Sequence, residues 1–229
     1  LNAPSIASVK IVMDSLTRPE ARLLLTAGGH SLAVSRERFG FVRARVQQVS
    51  VVFSVLTILW IAMDAITISW PLWGQLAVLR AAASLAFLAT AMRPTKGWLG
   101  KTVFAQLAPL FAVPVVFFLL SNLMLSDSHR QASLAASTAY HYLRFIVAAG
   151  LSLFPLTVLE SAVIAGAIFG AMAVAALLWP AVVDGQSLMM TLWRLVVIAG
   201  IGVLASSSQL LFLMQLTDQS TRDGLTGLL

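Results

Sequence analysis

Cysteine is absent from this 229-residue chain. Disulfides and thiolate metal sites are therefore excluded. Charge is also scarce: Asp, Glu, Lys and Arg make up 10% of the residues, against 59% hydrophobic, and mean hydropathy is +0.90. A soluble domain of this length could not bury so much apolar surface. The acidic residues are outnumbered, 9 against 15 Lys and Arg, for a formal charge of +6. In a soluble protein that surplus would suggest nucleic acid; here the plainer reading is membrane topology, with basic residues flanking spans. Apolar–polar alternation is missing, which argues against a β-barrel. No P-loop, H-E-x-x-H, nucleophile elbow or paired-carboxylate site occurs, so residues 1–222 carry no catalytic or metal signature. Neither a short-period repeat nor a clear inverted repeat is present. The start lacks the early apolar core and small-residue cleavage site of a signal peptide.

What is present is a series of apolar runs, each close to the ~20 residues a bilayer requires. They cover residues 46–68, 72–92, 103–125, a fourth ending near Phe154-Pro155, 156–179 and 188–214. The fourth begins near either Gln131 or Tyr140. Pro109 and Pro114 are candidate kinks in the third. The expected fold is all-α: a polytopic six-helix transmembrane bundle with an N-terminal cytoplasmic amphipathic arm. Three regions follow: a basic arm over residues 1–45, the six-span domain over 46–214, and a signalling helix over 215–229. In the arm, Ile6, Val9, Ile11, Val12 and Leu16 suggest a helix lying on the inner leaflet. Ala27-Gly28-Gly29-His30 is a breaker. Arg36, Arg38, Arg43 and Arg45 then crowd the first run. Arg93, Lys96 and Lys101 follow the second span, whereas the loops after the first and fifth carry no Lys or Arg. The positive-inside rule then places both termini in the cytoplasm.

Ionisable residues inside spans cost ~2.5–3.5 kcal/mol each on insertion scales, so each needs a reason. Asp64, Arg80, Arg144 and Arg194 are of this kind. Asp64 and Arg80 sit on spans joined by the tight Ser69-Trp70-Pro71 turn, at depths differing by ~6 Å, which an Arg side chain bridges. An Asp64–Arg80 pair is expected. It could simply lock the hairpin or form part of a site. Three arginines against one aspartate leave positive charge in the outer half of the bundle. An anion would satisfy it, whether a carboxylate, a phosphate, a lipid headgroup or the propionates of a haem. Snorkelling to the headgroups is the plainer alternative, and it fits Arg194 best.

His141 lies within Tyr140-His141-Tyr142 and shares a helix face with Arg144 at i, i+3. It is a candidate ligand for haem iron or a quinone, or a hydrogen-bonded polar residue only. Asp64, Arg80, His141, Arg144 and Arg194 form the candidate ligand set. Gly166 and Gly170 form G-x-x-x-G among alanines, which suits a dimer seam or packing within the bundle. Glu160 lies near the inner end of the fifth span, within reach of headgroups. Ser206-Ser207-Ser208-Gln209 makes the sixth span polar, and is expected to bond across a helix interface or back onto its own carbonyls.

The last residues read Asp223-Gly224-Leu225-Thr226-Gly227-Leu228-Leu229, after a polar lead-in from Thr217. This stretch resembles the opening of a GGDEF-type diguanylate cyclase domain, whose first helix runs into a D-x-L-T-G-L turn. Asp223, Leu225, Thr226, Gly227 and Leu228 carry the match. The resemblance implies that this chain is similar to the MASE-type membrane sensors of bacterial cyclases. It also implies inner-membrane location, a homodimer, and a cyclase domain beyond residue 229 that uses GTP and Mg2+ to make cyclic di-GMP. Gln215, Asp223, Leu225 and Thr226 would then transmit the signal. The competing readings are an anion transporter or channel, and a membrane redox protein holding haem or quinone.

Overall fold

The computed structural model describes residues 23–93, 103–127, 145–178 and 185–226. Helices dominate throughout, with no strand among the described residues. They are α1 (Leu32–Thr67), α2 (Leu72–Ala91), α3 (Val103–Asp127), α4 (Val158–Leu178) and α5 (Gly185–Thr226). Between α3 and α4, residues 145–149 are helical, Gly150–Leu153 form a 3-10 turn, and the chain is then non-helical up to α4.

Among the described residues, four helices are long and apolar enough to cross a membrane: α1, α2, α3 through Ala105–Leu125, and α5 through Met189–Gln219. Where the sequence predicts six spans, the structure adds α4, 21 residues long, whose apolar stretch is shorter. Most of the predicted fourth span lies outside the described residues. So do residues 1–22 of the arm.

The first helix starts earlier than residue 46. The Ala27–Gly29 3-10 turn breaks the chain as expected. Ser31 then caps α1, its Oγ accepting from Val34 N at 3.2 Å. From Leu32 onward only Gly40 opposes helix, and it is exposed with no described atom within 4 Å of a would-be Cβ. The arginines of the arm's end therefore ride on the same rod as the first apolar run. That rod, 36 residues, is about 54 Å long. Its buried positions Arg38, Val42, Val46, Ser50 and Ser54 recur every fourth residue and mark one face.

α1 and α2 form an antiparallel hairpin, the most extensive helix pair. Apolar contact gives little drive between helices in lipid, so polar and small residues tie them. Gln47 Nε2 donates to Ala91 O at 3.3 Å, and Ser54 and Ser84 hydroxyls meet at 2.8 Å. Above these, Ile68, Leu72, Leu76 and Ala83 pack with Phe117 and Leu125 of α3. A second cluster joins Val42 and Val46 of α1 to Leu107 and Leu110 of α3, Leu151 and Phe154 of the break, and Ile164 of α4. Pro109 and Pro114 both lie inside α3.

Gly202 of α5 meets the break closely. A Cβ there would stand 3.3 Å from Leu151 Cβ and 3.4 Å from Ala148 O. Gly202→Val is therefore expected to cost about 1–3 kcal/mol by overpacking, measured as a lowered unfolding midpoint in detergent. Gly166 and Gly170 of α4 differ: both are exposed and no described residue lies within 4 Å of a Cβ at either. Packing of this motif within the bundle is not found among the described residues.

Candidate functional site: two buried ion pairs on one helix

α1 carries a buried charge near each end, Arg38 and Asp64, about 39 Å apart along the helix. Each finds its partner on a different element.

Asp64 pairs with Arg80 of α2, as the sequence predicts. Arg80 Nε donates to Oδ2 at 2.5 Å and Nη2 to Oδ1 at 3.3 Å, a two-point geometry that holds the guanidinium plane. Both are buried, 1% and 7% exposed. The guanidinium also lies 5.0 Å from the Phe117 ring centroid and 5.8 Å from that of Trp60, so aromatic faces cover the cation. Thus one of the expected arginine charges is balanced inside the protein.

Of the rest of the candidate ligand set, only Arg194 lies among the described residues. Arg194 is exposed on α5 and forms no ion pair among the described residues. Its position fits snorkelling. His141 and Arg144 lie outside the described residues. No group of three or more His, Asp or Glu suited to a metal occurs among the described residues. A crevice between α1, α3 and the break is wholly apolar, with Phe53, Phe111, Pro114, Val147 and Phe154 in its lining. It offers nothing to an anion.

The other pair is one the sequence reading missed. Glu160 does not reach headgroups. It is 8% exposed and forms an ion pair with Arg38, itself 2% exposed. Arg38 Nη2 donates to Glu160 Oε2, and Arg38 Nε donates to Pro155 O at 2.8 Å. Glu160 also completes a capping box at the start of α4. Its Oε2 accepts from Thr157 N at 2.9 Å, and Thr157 Oγ1 accepts from Glu160 N at 3.3 Å. The local signal was present: Thr157-Val158-Leu159-Glu160 before an apolar run is the capping-box pattern. Its arginine, 122 positions away, was not legible. Thr157→Ala is expected to cost about 1 kcal/mol, visible as a small downward shift in the unfolding midpoint.

Beyond its 3-10 turn the break between residues 150 and 157 gives up helical hydrogen bonds, and three of its carbonyls accept from side chains. Ser206 Oγ of α5 donates to Leu151 O at 2.6 Å, and Gln209 Nε2 donates to Ser152 O at 2.6 Å. Pro155 O takes Arg38. Irregular backbone survives in an apolar bundle only when enclosed and satisfied in this way. The polar run on α5 thus splits between both expected behaviours: Ser206 and Gln209 bond across an interface, whereas Ser208 bonds back to Leu204 O at 2.9 Å.

α5 is a single helix of 42 residues, about 63 Å long, and it runs on past residue 214. Gln215 is exposed on it. Asp223, Leu225 and Thr226 continue the helix, so the expected turn does not start before residue 227. Helix formation here needs no special device, because Leu216–Arg222 contains neither Gly nor Pro. In comparison with known proteins, no family model, no curated protein and no solved structure matches the chain.

Proposed function

We propose that this chain is a membrane-embedded sensory and transducing domain whose last helix controls a cytoplasmic diguanylate cyclase. The observation that carries the reading is α5. It runs unbroken from apolar bundle residues through the polar Gln215–Arg222 stretch into the residues that resemble the start of a GGDEF domain. A helix without a hinge transmits translation or rotation along its length, and a cyclase that assembles from two facing domains responds to such a shift.

In this reading the bundle has six spans and lies in a bacterial inner membrane with both termini cytoplasmic, as the Lys and Arg distribution supports. The chain works as a homodimer. The input is a small anionic or hydrophobic ligand, or a bound lipid. GTP and Mg2+ are used by the cyclase domain and not by residues 1–229. Asp64 and Arg80 set the packing of the first hairpin on which the input acts. In a fusion of this chain to a diguanylate cyclase domain in lipid nanodiscs, Arg80→Ala is expected to change cyclic di-GMP output several-fold while the protein stays inserted. Output equal to that of the unsubstituted fusion would count against the reading.

A further inference from the structure

We propose that the Arg38–Glu160 ion pair is a latch that couples the start of α1 to α5 through the break at residues 150–157. It deepens the transducer reading and rests on it for its purpose, though not for its test.

The inference stands on three joined contacts. Arg38 holds the break at its α4 end, through Pro155 O and the Glu160 carboxylate. The break is held at its other end by α5, through Ser206 and Gln209 at i, i+3 on one helix face. Between them the 3-10 turn packs directly on α5, where Leu151 stands against the bare backbone of Gly202. From Phe154 to Thr157 the break is not helical, and beside its packing in the core it is held by donors from α1 and α5. A displacement of α1 that carries Arg38 away releases Pro155 O and the Glu160 carboxylate together. Leu151 and Ser152 then lose one restraint on their segment, and with them the acceptors that α5 grips. Gln209 lies about 9 Å along α5 from Gln215, so this grip is at the root of the polar extension. One ion pair thereby links two helices far apart in sequence by a chain of packed and hydrogen-bonded contacts.

The absence of native cysteine makes the test direct. Arg36→Cys and Gln215→Cys place spin labels on exposed positions of α1 and α5. Electron–electron distance measurements then read the α1–α5 separation in the chain alone, in nanodiscs. Two variants avoid gross misfolding. Glu160→Gln keeps an acceptor for Thr157 N and loses the charge that holds Arg38. Ser206→Ala with Gln209→Leu releases α5 while leaving the ion pair intact. Both are expected to shift or broaden the distance distribution by more than the spread among replicate preparations. The double variant R38M/E160M removes both charges, regaining stability without regaining the original distribution. A static brace behaves differently: stability falls in E160Q but the distribution stays that of the parent, and this result would overturn the latch. The transducer reading is tested separately by cyclase output, so a displaced distribution with unresponsive output sinks that reading and leaves the latch.

Discussion

Asp64→Ala is expected to lower the unfolding free energy by about 3–5 kcal/mol, because it strips a buried guanidinium of its carboxylate. The size separates charge from ordinary polar contact. A neutral interhelical hydrogen bond in a membrane bundle is worth about 0.6 kcal/mol on average, and Ser54→Ala, which loses the bond to Ser84, should fall near that value. Asp64 is 1% exposed and Arg80 7%, so neither charge can be rescued by water without opening the hairpin. The aromatic rings of Phe117 and Trp60 offset only part of the loss. The double variant D64A/R80L should recover most of the stability, since an apolar replacement of both partners carries no stranded charge. Steric-trap or denaturant unfolding in detergent measures all three. A cost for Asp64→Ala no larger than that of Ser54→Ala would show that the pair is not desolvated as described.

Glu160→Ala is the second large effect, and it has two sources. Loss of the carboxylate leaves Arg38 buried and unpaired, again about 3–5 kcal/mol. It also removes the acceptor for Thr157 N at the first turn of α4, a cap worth about 1 kcal/mol. The two overlap in space and need not add. Glu160→Gln should cost less, because its amide oxygen still accepts from Thr157 N. Ranking Glu160→Ala above Glu160→Gln, and both above Thr157→Ala, is the expected order. Equal effects for Glu160→Gln and Thr157→Ala would mean that Arg38 contributes only through Pro155 O.

These two pairs show what could be read from the sequence and what could not. The Asp64–Arg80 pair was legible because its partners lie 16 positions apart across one tight turn, where depth arithmetic decides contact. The all-helical class was legible because continuous apolar runs leave few alternatives. The apolar run marks only part of α1, because the helix propensity of the charged residues before it and the Ser31 cap extend the same helix. Arg38 stands among exposed charged neighbours, and only the fourfold spacing Arg38-Val42-Val46-Ser50 marks it as part of the buried face. The partner of Glu160 is not legible in the sequence, because an ion pair spanning 122 positions is fixed by tertiary packing alone. The hydroxyl run on α5 pointed to an interface, but its acceptors were hidden because they are backbone carbonyls freed by an irregular turn.

The central claim is that α5 acts as one rigid rod from the bundle to the output domain. The most direct measurement is the cyclic di-GMP output of a cyclase fusion into which one to seven residues, helix-forming alanines, are inserted between Gln219 and Arg222. Each insertion turns everything beyond it by about 100° and advances it by about 1.5 Å. A rod predicts output that rises and falls with helical phase, recovering near four and seven insertions and lowest between them. Output that is flat across the series, or that declines steadily with inserted length, would contradict transmission through a continuous α5.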